Sequence, residues 1–135
     1  MILIVCVDDH NGMMFNHRRQ SQDRVLRADI LELTDGKKLW MNAYSKKQFA
    51  ESDTARIRVN ETFLDAVGDG EFCFVENADV SGCVERIGEI YLYRWNRDYP
   101  ADVYFPVDLS VWKCVETKEF AGSSHEKITR ERYTQ

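Results

Sequence analysis

The sequence predicts an α/β fold: a mainly parallel central sheet flanked by helices, with an antiparallel edge at the C-terminal end. Three observations carry that expectation. The chain opens on an uninterrupted apolar run, Met1-Ile-Leu-Ile-Val-Cys-Val7, typical of a strand covered on both faces. Short apolar or alternating runs recur at Leu39–Met41, Ala55–Val59, Phe72–Val75 and Ile90–Trp95, separated by helical or helix-length segments as in βαβ units. The tail then packs three strand-like segments, Val103–Phe105, Trp112–Glu119 and Glu126–Tyr133, between polar turns.

The first strand ends at Asp8-Asp9-His10-Asn11-Gly12, a turn in which Asn-Gly supplies positive φ. Polar residues 16–22 read as a loop. A helix follows with Ser21 as its expected N-cap, bonding the amides of Asp23 or Arg24. Leu26, Ile30 and Leu33 share one face of it, and Gly36 supplies a stop. Residues 45–51 suit a short helix. No repeat, linker or low-complexity stretch divides the chain, so residues 1–135 are expected to form one domain.

Composition narrows the function classes. The chain of 135 residues is 44% hydrophobic and 30% charged, as in an ordinary soluble domain rather than a disordered one. Its net charge of −5 argues against a general nucleic-acid binder, whose affinity rests on phosphate neutralisation. The opening apolar run lacks a basic flank and meets Asp8-Asp9 at once, so it is expected to be neither a signal peptide nor a membrane span. Cys6, Cys73, Cys83 and Cys114 are scattered, with no C-x-x-C pair, and His10, His17 and His125 show no metal-ligand spacing. Free thiols, no metal and a cytoplasmic location follow as expectations. Charge is uneven: Arg18, Arg19, Arg24 and Arg27 cluster early, whereas residues 61–90 hold eight acids against the single base Arg86.

Two stretches together resemble the dihydrofolate reductase family. Met1–Asp8 followed by Gly12-Met13 is similar to that family's first strand and the start of its active-site loop, and Lys37-Lys-Leu-Trp-Met-Asn42 to its second strand. Downstream, Glu89-Ile-Tyr-Leu-Tyr-Arg-Trp95, Ala101-Asp-Val-Tyr-Phe-Pro106 and Trp112 resemble its late strand, its Gly-Asp-Thr-x-Phe-Pro turn and the Trp beyond. Ser124-His125 resembles the start of its last strand. The resemblance runs over nearly the whole chain, with a shortened middle. It implies a dihydrofolate reductase-like fold and places Asp23 at the family's single active-site acid, with Tyr93 at the Thr that works beside it.

The departures fall where chemistry would be. The family's Gly-Arg-x-Thr, which binds NADPH phosphates, is matched by Asn42-Ala43-Tyr44-Ser45, without the cation. Its Gly-Gly pair, which lets the backbone approach the pyrophosphate, is matched by Glu76-Asn77. Arg18-Arg19 stands where the family has Pro-Trp. No cofactor is therefore expected, and NADPH would enter only if reduction survived.

Three readings follow. The first is a divergent relative without NADPH-dependent reductase activity that binds a small ligand or a protein partner. In the second, an oxidoreductase acts on a pterin-like substrate with Asp23 as the acid. In the third, Arg18, Arg19, Arg24 and Arg27 bind an anion or nucleotide phosphate. Asp23 is equally a plain helix N-terminal residue favoured by the helix dipole, and the arginines a solvated basic face. Tyr93, as a buried strand residue, needs a partner for its hydroxyl, and Asp23 is the expected one. Asp102 is read as a cap of turn amides.

Overall fold

In a computed structural model, which describes residues 1–49 and 55–135, strand β1 (Ile2–Val7) lies near the middle of a seven-stranded sheet. The strands beside it are β6 (Phe72–Phe74) and β7 (Glu89–Arg94), both parallel to it. β4 (Leu39–Met41) and β5 (Ile57–Val59) extend the parallel part beyond β6. On the other side β10 (Ile128–Thr134) pairs antiparallel with β7, and β9 (Lys113–Phe120) pairs antiparallel with β10 as the edge. The order is β5-β4-β6-β1-β7-β10-β9. Five parallel strands with two antiparallel ones on the C-terminal side are the predicted architecture.

The apolar alternation of β1 divides the core. Leu3, Val5 and Val7 face one cluster with Phe63, Val80, Ile87 and Trp112, whereas Ile4 joins Leu26, Ile30, Phe74, Tyr93 and Trp95 on the other face. Helix α1 (Arg24–Leu33) covers the second face, because Leu26 and Ile30, one turn apart, both point into it. The first face is covered by the four-residue helix α3 (Phe63–Ala66) and by irregular chain. α2 (Ala43–Lys46) has the same length and runs on into a 3₁₀ turn over Lys47–Phe49. The expected short helix at 45–51 thus begins two residues earlier, and its last two residues lie outside the described ones. Among the described residues no helix is long and apolar enough to cross a membrane.

Two local expectations are corrected. Residues 16–22 are not all loop: β2 (Gly12–Phe15) turns through Asn16 and His17, both at positive φ, into the short strand β3 (Arg18–Arg19). A turn of that kind matches the twist of a hairpin. β8 (Val103–Tyr104) pairs with β2 in this separate three-stranded sheet and does not extend the main one. The N-cap of α1 is Asp23, not Ser21. Ser21 is drawn away by His125, while the Asp23 carboxylate reaches the helix amides. All four cysteines are free, and Asp102 accepts the amide of Asn16.

Candidate functional site

The carboxyl ends of parallel strands are where α/β sheets place their ligands. Here that end is bounded by Cys6 on β1, Phe74 and the Val75-Glu76 that follow β6, Trp95 after β7, and Leu26 on α1. Arg19, Gln20 and Ser21 close it from the hairpin side. The cavity they leave is about 10 Å³, room for a single water at most.

Asp23 is buried at the start of α1 and surrounded by donors. Its Oδ1 accepts the amides of Val25 (2.9 Å), Leu26 (3.2 Å) and Ser123 (3.0 Å). Its Oδ2 accepts the Ser124 amide at 2.8 Å and hydroxyl at 3.1 Å, and lies 3.0 Å from His125 Nδ1. Burial alone would raise this carboxyl, but the amides of Ser123, Ser124 and Leu26 and the imidazole together hold it well below the usual carboxylate range. Asp23 is a fixed anion at working pH. Gly122 lets the turn come this close, because a Cβ there would collide with Asp23 Oδ2.

His125 continues the chain of contacts. Its ring stacks on Trp95 at 4.5 Å between centroids, and its side chain is 2% exposed. Nε2 lies 2.9 Å from the Tyr99 hydroxyl and 3.2 Å from Ser21 Oγ. An ionised Asp23 fixes the ring proton on Nδ1, so Nε2 presents a lone pair to the two hydroxyls. Ser124-His125 lies in the turn before β10, not in that strand.

Tyr93 does not meet Asp23. Its hydroxyl donates to Asp29 Oδ2 at 2.6 Å, because Asp29 is the α1 carboxylate turned toward the sheet. Burial, and then the Asp29 charge, push the Tyr93 phenol far up, so it remains a donor. Asp29 also receives Lys118 Nζ (2.6 Å) and Arg130 (2.8 Å). Burial opposes its ionisation, but those two cations and the Tyr93 hydrogen bond hold its carboxyl below the ordinary value. This network ties α1 to β9 and β10 and is a structural joint.

The four arginines are not equivalent. Arg19 forms a two-point pair with Glu76, Nε to Oε2 at 2.8 Å and Nη2 to Oε1 at 3.1 Å, and its guanidinium lies 4.3 Å from the centroid of the Tyr44 ring. No ion pair among the described residues involves Arg18, Arg24 or Arg27; Arg27 reaches Gln22 at 3.5 Å. Arg18 borders an open groove of about 310 Å³ with Phe15, Tyr99 and Pro100, and Arg19 and Gln20 line both this groove and the inner cavity. Arg24 and Arg27 are not among the residues bordering either space.

Beside this, the segment after β4 is stitched to the one after β6. Asn42 caps α2 through the Ser45 amide and donates to Asn77 Oδ1 at 2.7 Å. Glu61 accepts the Ala43 amide at 2.8 Å, and the Tyr44 hydroxyl accepts the Arg19 amide at 2.8 Å. Ser45 is buried, and its Oγ has no hydrogen-bond partner among the described residues. Among the described residues no group of three or more His, Cys, Asp or Glu could hold a metal.

Sequence reasoning missed His125, Ser21 and Asp29 as members of these clusters. Their partners lie up to about a hundred residues away, beyond any local pattern; Asp29 alone carried a signal, three residues after the core-facing Leu26.

No protein-family model matches the sequence, and no curated protein matches it. Among solved structures, the chain is similar to dihydrofolate reductase from Enterococcus faecalis, a structure complexed with NADP(H) and RAB-propyl. The TM-score is 0.70 at 12% identity, over 98% of this chain and 94% of that one. The chain therefore has the α/β dihydrofolate reductase-like fold: a mixed, mostly parallel sheet with antiparallel C-terminal strands and few helices.

Proposed function

We propose that this chain uses the dihydrofolate reductase-like fold without NADPH-dependent reduction, and binds a small ligand or a protein partner instead. One observation carries the reading. Where the family resemblance puts phosphate contacts, this chain's own side chains occupy the space: the Arg19–Glu76 pair on Tyr44, the Asn42–Asn77 bond, and Glu61 on the first amide of α2. Two of those groups are carboxylates. A pyrophosphate would meet the Glu61 carboxylate, which no cation pairs among the described residues, and would have to break the Arg19–Glu76 pair and the Asn42–Asn77 bond. The buried Ser45 hydroxyl faces no outside phosphate. NADPH does not fit these residues.

The acid-catalyst alternative is weaker, because Asp23 makes six close polar contacts and gives up none of them cheaply. An inner cavity of about 10 Å³ excludes a pteridine ring, for which pockets of roughly 300 Å³ or more are usual. The arginine reading survives in reduced form: the groove beside Arg18, with Phe15 and Tyr99, suits a small aromatic anion. The free thiols are consistent with a cytoplasmic location.

The test is direct titration with NADPH, followed by quenching of tryptophan fluorescence, alongside dihydrofolate turnover. The reading expects no saturable quenching at millimolar NADPH and no turnover. Saturable binding with reduction would overturn it.

A further inference from the structure

We propose that Asp23, His125 and Ser21 form a relay that makes Ser21 a nucleophile toward small acyl esters. The inference stands apart from the reading above: NADPH binding would sink that reading and leave this one untouched.

The geometry has the three parts such chemistry needs. Asp23 Oδ2 lies 3.0 Å from His125 Nδ1, and His125 Nε2 lies 3.2 Å from Ser21 Oγ. The base is held by a third group, since its ring stacks on Trp95 and both side chains of the Asp–His pair are at most 2% exposed. Ser21 is half-buried and lines the inner cavity, whereas His125 and Asp23 lie behind it. A plain N-cap aspartate needs no histidine, and burial alone asks for one partner at His125 Nε2, where two hydroxyls meet it.

The reaction follows from these contacts. Ser21 Oγ adds to the ester carbonyl carbon while its proton passes to His125 Nε2, and Asp23 stabilises the imidazolium. The intermediate collapses by breaking the carbonyl–oxygen bond to the leaving group, which takes the proton from Nε2 and departs as an alcohol. An ester remains on Ser21. Water then attacks that ester by the same route, giving its proton to Nε2, and Ser21 leaves with that proton as the carboxylic acid is released.

Size and charge select the substrate class. The cavity of about 10 Å³ beside Ser21 holds one water at most, the size of the hydrolytic nucleophile, so the ester itself is presented from outside it. The groove of about 310 Å³, which shares Arg19 and Gln20 with that cavity, takes the ester, and its Phe15 and Arg18 favour one with a phenol or an anionic alcohol as leaving group. The helix amides are already engaged, Arg24 by Ser123 Oγ and Val25 and Leu26 by Asp23. With no such amides left for an oxyanion, turnover is slow, since one missing donor costs roughly 10²–10³ in rate. A phenolate leaves more readily than the serine alkoxide, so a phenyl ester acylates Ser21 faster than water clears it, and the acyl-serine accumulates.

Tyr99 supplies the control. Its hydroxyl lies closer to Nε2 than Ser21 does, at 2.9 Å, and competes for the same lone pair. The experiment treats the intact protein with p-nitrophenyl acetate and, separately, with a fluorophosphonate probe. Adducts are counted by intact mass and located by peptide mapping. The expected result is one adduct per chain on Ser21, absent in Ser21→Ala, formed at least as fast in Tyr99→Phe and at least tenfold slower in His125→Asn. No adduct in either the parent protein or Tyr99→Phe overturns the proposal, as does an adduct on another residue or slower labelling in Tyr99→Phe. Equal labelling in His125→Asn overturns it too; if that variant does not fold, the Ser21 and Tyr99 variants decide alone.

Discussion

Replacing Asp23 by alanine removes a carboxylate that joins the start of α1 to the turn before β10. Three losses add. The N-cap contacts to Val25 and Leu26 are worth about 1 kcal/mol. The amides of Ser123 and Ser124 lose their acceptor, at about 1 kcal/mol or more each. The buried His125 Nδ1 loses its charged partner and keeps only Ser124 Oγ at 3.2 Å, at a further cost of about 1 kcal/mol. The sum is about 4 kcal/mol, a large share of the roughly 5–15 kcal/mol that holds a domain together. Urea unfolding at pH 7 of the parent protein, Asp23→Asn and Asp23→Ala measures it, with Asp23→Asn expected in between because it keeps one acceptor. The sign of the pH dependence is fixed as well. The folded carboxyl is held below its unfolded value of 3.8, so its contribution is complete above about pH 5 and is lost as pH falls below 3.8 and on through the lower folded value. The gap between parent and Asp23→Ala must therefore narrow in acid. A loss under about 1 kcal/mol at pH 7, or a gap that does not change with pH, would refute the reasoning.

Three further outcomes are expected. Tyr93→Phe should cost about 1 kcal/mol and no more, because Asp29 keeps Lys118 and Arg130; chemical denaturation reads it. Gly122→Ala should destabilise by about 1–3 kcal/mol, since the added methyl meets the Asp23 carboxylate and the Ile128 side chain, and its melting temperature should fall accordingly. With a thiol reagent, the exposed Cys114 should react first. Burial, and then the nearby Glu76 charge, push Cys6 well up against the opposing pull of Arg19, and burial above all pushes Cys73 up to about 12.

The sheet was legible because its strands are apolar runs whose periodicity is local. Leu3, Val5 and Val7 against Ile4 needs no knowledge of the rest of the chain. The hairpin at Asn16-His17 was hidden, since a strand of two arginines carries no apolar signal and the turn holds no glycine. The N-cap of α1 was misplaced by two residues because Ser21 and Asp23 are both good caps. What separates them is tertiary: His125 takes one, and the amides of Ser123 and Ser124 reinforce the other. Tyr93 was given the wrong carboxylate for a related reason. Asp23 and Asp29 share a helix, but only Asp29 sits next to Ile30 on the face turned to the sheet. The Arg19–Glu76 pair joins residues 57 apart in sequence, beyond any local pattern.

We propose that the fold persists while the NADPH phosphate site has been filled from within. Thermal unfolding with and without millimolar NADPH tests it most directly. A ligand at about 100 times its Kd stabilises by roughly 2.7 kcal/mol, which at about 3 °C per kcal/mol for a chain of this size is a rise of about 8 °C. No rise in melting temperature is expected. A rise of several degrees would mean that the Arg19–Glu76 pair and the Asn42–Asn77 bond yield to the cofactor, and would contradict it.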